Sequence, residues 1–210
     1  MYFNKGSEKE VTHSNLPHWS KTKTLLFVTF RLWDSLPVEV GKEIMEEYED
    51  WKKSQPSKLS EEELKLRYRH LWHRTINVRL DDKPYGSCLL AQPYIRSIVE
   101  EEIRRYDGTH YILSAFVIMP NHVHLLLFPL EGYTLTSIMH TLKRISSYRI
   151  RKLLSTTDSS VWRRESFDCL IRSALQHRKV REYILNNPRY LPTDTYTVWL
   201  REEPELYEGE

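Results

Sequence analysis

The sequence predicts an α+β domain built around antiparallel strands. Residues 114–128 form the most apolar stretch of the chain, and Pro120-Asn121 divides it into two short runs, which is typical of two strands joined by a tight turn. Residues 24–32 are rich in Thr, Val and Phe and predict a further strand. Elsewhere apolar residues recur every three or four positions, which predicts amphipathic helices.

An acidic segment after the first strand predicts a helical insertion at about residues 34–75. Residues 33–66 contain ten acidic and five basic residues. Pro37 can open one helix, and Ser60 with Glu63 forms a capping box for a second. The residues that follow the insertion, 81–87, predict a loop because they combine Asp, Pro and Gly.

Further helices are predicted at residues 92–105, 134–154 and 173–187, the last ending because Pro188 follows. The 210 residues, 1–210, predict one domain with a core at about 20–191 and an acidic tail at 200–210. The two cysteines have no CxxC spacing, no apolar run is long enough for a membrane span, and the N-terminus is unlike a signal peptide. We therefore expect a cytoplasmic protein with no membrane partner.

Basic residues are concentrated in the second half of the chain. Residues 132–181 contain eleven basic and three acidic residues, a local net charge of +8. Such a segment predicts a surface that binds a polyanion, although a solvated surface without a ligand has the same composition.

His122 and His124 lie two residues apart in the predicted strand that ends in Leu125-Leu-Leu-Phe128. Side chains alternate along a strand, so both imidazoles point to the same face, about 7 Å apart along the chain. That placement suits one metal ion, whereas the alternative is the polar end of a half-buried strand.

Tyr183 and Asn187 lie one turn apart at the end of the last predicted helix, so they share a face. Together with His122 and His124 they make a possible active site. Two imidazole nitrogens and an amide oxygen can hold a divalent metal that polarises a phosphate, and the phenol can attack that phosphate. The reference pKa of tyrosine is about 10, so a nearby cation would be needed to lower it and activate the nucleophile.

These motifs resemble a known family. Met-Pro-Asn followed by His122-Val-His124, a His-hydrophobic-His (HUH) motif, together with Tyr183-Ile-Leu-Asn-Asn187-Pro188, is similar to the REP-associated tyrosine transposases and the wider IS200-like single-strand transposases. The resemblance runs from Phe27 to about Leu191 and includes Leu142-Lys143, residues 162–168 and Ile171-Arg172. The acidic insertion is longer than in the compact members of the family.

The resemblance implies a ferredoxin-like (RRM-like) antiparallel sheet with helices packed on one face, the fold of the HUH endonucleases. It implies Mg²⁺- or Mn²⁺-dependent nicking and joining of single-stranded or hairpin DNA by a monomer or homodimer. Carried over, His122, His124 and Asn187 are the metal ligands, and Tyr183 is the nucleophile that takes the 5′ phosphate and frees a 3′ hydroxyl.

Basic and aromatic side chains around the second half are candidates for binding DNA. Lys143 and Arg172 could contact phosphates or only water, and Trp162 could stack on a base or pack in the core. Tyr148, inside the basic helix, is an alternative candidate for the nucleophile, but its neighbours lack the Asn-Pro context. The candidate DNA-binding residues are Lys143, Arg144, Arg149, Arg151, Trp162 and Arg172.

Two other functions are compatible with the sequence. The first is a domesticated protein that binds DNA hairpins without cutting them, although such a protein need not keep a nucleophile. The second is a metal-dependent hydrolase for another substrate, which is disfavoured because no Asp or Glu is predicted near the histidines.

Overall fold

The computed structural model describes residues 10–13, 17–20, 24–56, 59–157 and 160–202. Strands β1 (Glu10–His13) and β2 (Pro17–Ser20) form a small antiparallel hairpin where no regular structure is predicted. The central sheet has five antiparallel strands in the order β6-β3-β5-β4-β7. Its strands are β3 (Leu26–Arg31), β4 (Tyr111–Ile118), β5 (His122–Pro129), β6 (Phe167–Leu170) and β7 (Thr197–Leu200).

Two helices cover one face of this sheet. Helix α3 (Pro93–Arg105) connects β3 to β4, after a short 3-10 turn at Leu89–Ala91, and α4 (Leu135–Leu153) connects β5 to β6. The chain order β3-α3-β4-β5-α4-β6 with these neighbours is the ferredoxin-like arrangement, so the predicted fold class is confirmed. Strand β7 adds a fifth strand beside β4 and is not predicted from the sequence.

Helix α5 (Ala174–Asn186) lies on the opposite face, which also carries both histidines. Ile184 is fully buried against Ala115 and Leu126 of the sheet. Arg181 donates to the Ser114 carbonyl at 3.0 Å and to the Arg201 carbonyl at 2.8 Å, which fixes the helix across β4. Ser114 lies at a bulge in β4, where the register against β5 shifts by one residue.

The predicted insertion is a helical hairpin of α1 (Val38–Lys53) and α2 (Glu61–Asp82). Ser60 and Glu63 form the predicted capping box. Ile76 and Leu80 of α2 pack on Val40 and Ile44 of α1. Among the residues described, no helix is long and apolar enough to cross a membrane.

Helix α2 extends beyond the predicted end of the insertion at about residue 75. The prediction of a loop from residue 81 is wrong at its first two positions. The helix ends at Asp82 because Lys83 precedes Pro84 and is held in an extended conformation, with φ −144° and ψ 123°. Asp81 therefore lies in the last turn of a helix. The predicted acidic tail at 200–210 lies outside the described residues from position 203 onward.

Candidate active site

Four side chains from three elements meet at one point on the face of the sheet that α5 covers. His122 and His124 of β5 place their Nε2 atoms 3.1 Å apart. Asp81 of α2 brings its Oδ1 to 3.1 Å from the first Nε2 and 3.5 Å from the second. Tyr183 of α5 donates its hydroxyl to Asp81 Oδ2 at 2.5 Å and lies 3.2 Å from His124 Nε2. A single chain thus assembles the whole cluster.

Neighbouring polar groups orient both imidazoles. Asn121 donates its amide to the Tyr85 carbonyl at 3.0 Å, which turns its Oδ1 toward His122 Nδ1 at 2.8 Å. This contact orients the ring of His122 so that its Nε2 faces Asp81. The Thr29 hydroxyl lies 2.8 Å from His124 Nδ1 and holds the second ring in place.

The ring of Phe27 packs against two members of the cluster. Its ring stacks on His124 with centroids 5.3 Å apart and meets Tyr183 edge-on at 5.9 Å. Thr29 and Phe27 alternate on β3, opposite His124 and Leu126 of β5, so the sheet register itself places them here. The aromatic contacts restrict the ring positions of the histidine and the tyrosine.

Burial and neighbouring charge set the protonation states of the cluster. Burial lowers the pKa of His122 to about 4, so this imidazole is neutral at pH 7. Burial alone would raise the pKa of Asp81, but hydrogen bonding with the two imidazoles outweighs it and holds that pKa below its usual range. Burial raises the pKa of Tyr183 above its usual range, the Asp81 carboxylate raises it further, and Asn187 opposes the change.

These residues fit a divalent metal ion. Asp81, His122 and His124 offer ligand atoms that all lie within 4.8 Å of one another. A bound cation would take the place of a proton on each Nε2, with each imidazole keeping its proton on Nδ1, next to Asn121 or Thr29. Such a set of converging acceptors is what a cation with nitrogen and oxygen ligands requires.

Asp81 is the residue of this cluster that was not predicted from the sequence. The expectation that no acidic side chain lies near the histidines is wrong, because α2 carries Asp81 to them. A sequence signal existed, since Ile76 and Leu80 continue the buried stripe of the helix up to the preceding residue.

Asn187 is the third metal ligand that the resemblance predicts. It follows the last residue of α5, one turn beyond Tyr183, and its amide interacts with the tyrosine hydroxyl. Its Oδ1 is buried without a hydrogen-bond partner in the part of the chain that the structure describes. A buried amide oxygen with no donor is available to a cation.

The structure does not bring the basic side chains of α4 to the cluster, because α4 covers the other face of the sheet. Lys143 donates to the carbonyls of Arg163, Arg164 and Glu165 at 3.0 to 3.2 Å. Arg149 pairs with Glu101 and Glu102, each at 2.6 Å. The other predicted cations are Arg144 and Arg172, which are exposed, and Arg151, which is half-buried.

Trp162 lies in the core, 5% exposed, with its ring edge-on to Phe30 at 4.8 Å and its Nε1 donating to Ser146 at 2.9 Å. We expect Trp162→Ala to lower the free energy of unfolding by about 3–5 kcal/mol. The matched control is Trp33→Ala, which removes a side chain that is 53% exposed and should change it by about 0.5 kcal/mol or less. Equal urea midpoints for the two variants would contradict the core position.

Comparison with known proteins connects this geometry to a family. Residues 91–187 match the family model described as "Transposase IS200 like". In this segment the chain resembles the IS200-like transposases. The resemblance predicted from the sequence motifs is confirmed. The transposase-like segment contains both histidines, Tyr183 and Asn187, but not the helical hairpin that carries Asp81.

A search of curated proteins found no match to the sequence. A solved structure described as a REP-associated tyrosine transposase bound to a REP hairpin superposes with a TM-score of 0.46 and 13% sequence identity. The alignment covers 84% of this chain and 73% of that chain.

Proposed function

We propose that this protein is a metal-dependent enzyme that nicks and rejoins single-stranded DNA through a covalent bond to Tyr183. The observation that carries the proposal is the position of the Tyr183 hydroxyl, 3.2 Å from His124 Nε2 and 2.5 Å from Asp81. A tyrosine hydroxyl at a candidate metal site is placed to attack a phosphate bound there.

The nucleophile needs a base because burial and Asp81 keep the phenol protonated at neutral pH. Asp81 Oδ2 already accepts the phenol hydrogen bond, so it is placed to take the proton as the Tyr183 oxygen bonds to phosphorus. A cation at this site would lower the pKa of the phenol and favour the transfer. The bond from phosphorus to the 3′ oxygen breaks, and that oxygen leaves with the electron pair and takes a proton from solvent to become a 3′ hydroxyl. The products are a 5′-phosphotyrosine and a free 3′ end.

The phosphotyrosine keeps the energy of the cleaved ester, so a 3′ hydroxyl can attack it, release its proton to solvent and rejoin the strand. Asp81 then returns the proton to the phenol by the same hydrogen bond. A simple hydrolase has no use for this covalent step.

His122, His124 and the Oδ1 of Asp81 would hold the metal, with Asn187 as a further ligand. Bound there, Mg²⁺ or Mn²⁺ acts as a Lewis acid toward the phosphate oxygens. Asp81 thus uses its two oxygens differently, since Oδ1 faces the imidazoles and Oδ2 faces the phenol. Asn121 and Thr29 keep the imidazoles in the orientation that this requires.

Incubation with end-labelled single-stranded and hairpin oligonucleotides tests the proposal. With Mn²⁺ we expect a protein–DNA adduct that survives denaturation and maps to Tyr183 by peptide mass spectrometry. The adduct should contain the fragment on the 3′ side of the cut, joined through its 5′ phosphate. With EDTA we expect none. Cleavage without an adduct would indicate a hydrolase, and tight hairpin binding unaffected by EDTA and without cleavage would indicate a binding protein; either result contradicts the proposal.

A further inference from the structure

Arg31 lies next to the cluster on the same face of the sheet. In the register of β3 against β5, Arg31 is directly opposite His122, as Thr29 is opposite His124. Side chains at directly opposite positions start from Cβ atoms about 4.5–5.5 Å apart and share a face. The guanidinium is therefore anchored beside the candidate metal ligands.

Among the described residues, the Arg31 guanidinium has no anionic partner in hydrogen-bond contact. Arg31 is half-buried, and its Nη1 donates a hydrogen bond to Ser35 Oγ at 3.0 Å, while the Ser35 hydroxyl donates to the Leu32 carbonyl. It makes no salt bridge with any residue that the structure describes. Arginine removed from water is normally paired with an anion, because an isolated buried charge is costly.

The surroundings of Arg31 add more positive charge. Arg163 donates its backbone N–H to the Arg31 carbonyl at 2.9 Å, and its side chain is exposed and makes no hydrogen bond within the described ranges. Burial and then the Arg163 charge lower the pKa of Arg31 to about 10, while Glu165 opposes them. Lys143 also lies close enough for its charge and that of Arg31 to repel. Among the described residues, Glu165 is the carboxylate whose charge opposes this repulsion at both Arg31 and Lys143.

We propose that Arg31 and Arg163 form a binding site for a backbone phosphate of the DNA strand, directly beside the metal cluster. One phosphate would relieve the repulsion between the two guanidinium groups and supply the missing partner of Arg31, with each donating hydrogen bonds to its oxygens. The inference rests on the proposed function, because the strand that it positions is the one that Tyr183 attacks. This site would also bind DNA on the face of the sheet that carries His122 and His124, which α4 does not cover.

Equilibrium binding of a fluorescent single-stranded oligonucleotide in EDTA tests this site without any chemistry. We expect Arg163→Gln to raise the Kd about tenfold at constant salt, as for the loss of a hydrogen bond to a charged group. The slope of log Kd against log of KCl concentration should fall by about 0.7 for each phosphate contact removed. Arg31→Lys, which keeps the charge but not the fork of donors, should weaken binding with little change in slope.

The matched control is Arg105→Gln, which removes the same charge from α3 on the other face. Arg105 pairs with Glu102, and Glu102 keeps Arg149 as a partner in that variant. Unchanged Kd and slope in Arg163→Gln, or an equal loss in Arg105→Gln, overturns the site. Arg163 is exposed, so its variant folds even if Arg31 variants do not.

Failure of this site and failure of the proposed function give different results. Suppose that the wild-type protein forms no adduct with Mn²⁺, but that the salt dependence of its DNA binding falls in Arg163→Gln. The phosphate site is then supported and the proposed enzymatic function is contradicted. If the wild-type protein forms the adduct but Arg163→Gln leaves the salt dependence of DNA binding unchanged, the enzymatic function is supported and the phosphate site is contradicted.

Discussion

Replacing Tyr183 by phenylalanine is expected to abolish covalent adduct formation, with a loss of at least about 10³-fold in the rate of single-strand cleavage. The ring that packs against Phe27 and His124 is kept, and only the hydroxyl that bonds to Asp81 is removed. The fold and the metal site should therefore be unchanged. Denaturing gels of labelled oligonucleotide after incubation with Mn²⁺ measure the loss.

Tyr148→Phe is the control for this prediction. Tyr148 lies on the basic helix α4, is 61% exposed and is the alternative nucleophile that the sequence leaves open. Its replacement should leave the adduct yield within about twofold of wild type, since surface substitutions rarely disturb a distant site. An undiminished adduct in Tyr183→Phe, or its loss in Tyr148→Phe, would mean that the assigned nucleophile is wrong.

Removing a histidine of the cluster is expected to abolish metal binding. His124→Ala should weaken Mn²⁺ binding by more than about 100-fold, because even residues that only support metal ligands cost 10–100-fold. In wild type, Mn²⁺ at a hundred times its Kd should raise the free energy of unfolding by about 2.7 kcal/mol. Titration calorimetry and the metal-induced change in Tm measure both effects, and the change in Tm should vanish in the variant.

Two matched pairs make the metal prediction specific. His140→Ala removes an exposed imidazole on α4 and should bind Mn²⁺ like wild type. Asp81→Asn should weaken Mn²⁺ binding, whereas Asp82→Asn, an exposed neighbour on the same helix, should not. Equal Mn²⁺ affinity in Asp81→Asn and Asp82→Asn would exclude Asp81 from the ligand set.

The site was partly predictable because its motifs are local. The alternation of a strand is enough to place His122 and His124 on one face, and the pitch of a helix is enough to place Tyr183 and Asn187 together. Strand β7 was missed because four residues at a sheet edge carry little periodic signal. Trp162 could not be assigned between core and surface until its contacts with Phe30 and Ser146 were known.

The sequence alone predicts strands β3, β4 and β5, most of the helices and the residue types that a metal-assisted nucleophile needs, since each follows from contacts within a few residues. Tertiary structure decided that α5 and α4 lie on opposite faces, so that Tyr183 meets the histidines and the basic helix does not. It also decided that Asp81 joins them across 41 residues of chain. The physical reason is that the docking of one element on another depends on long-range packing, which local periodicity does not encode.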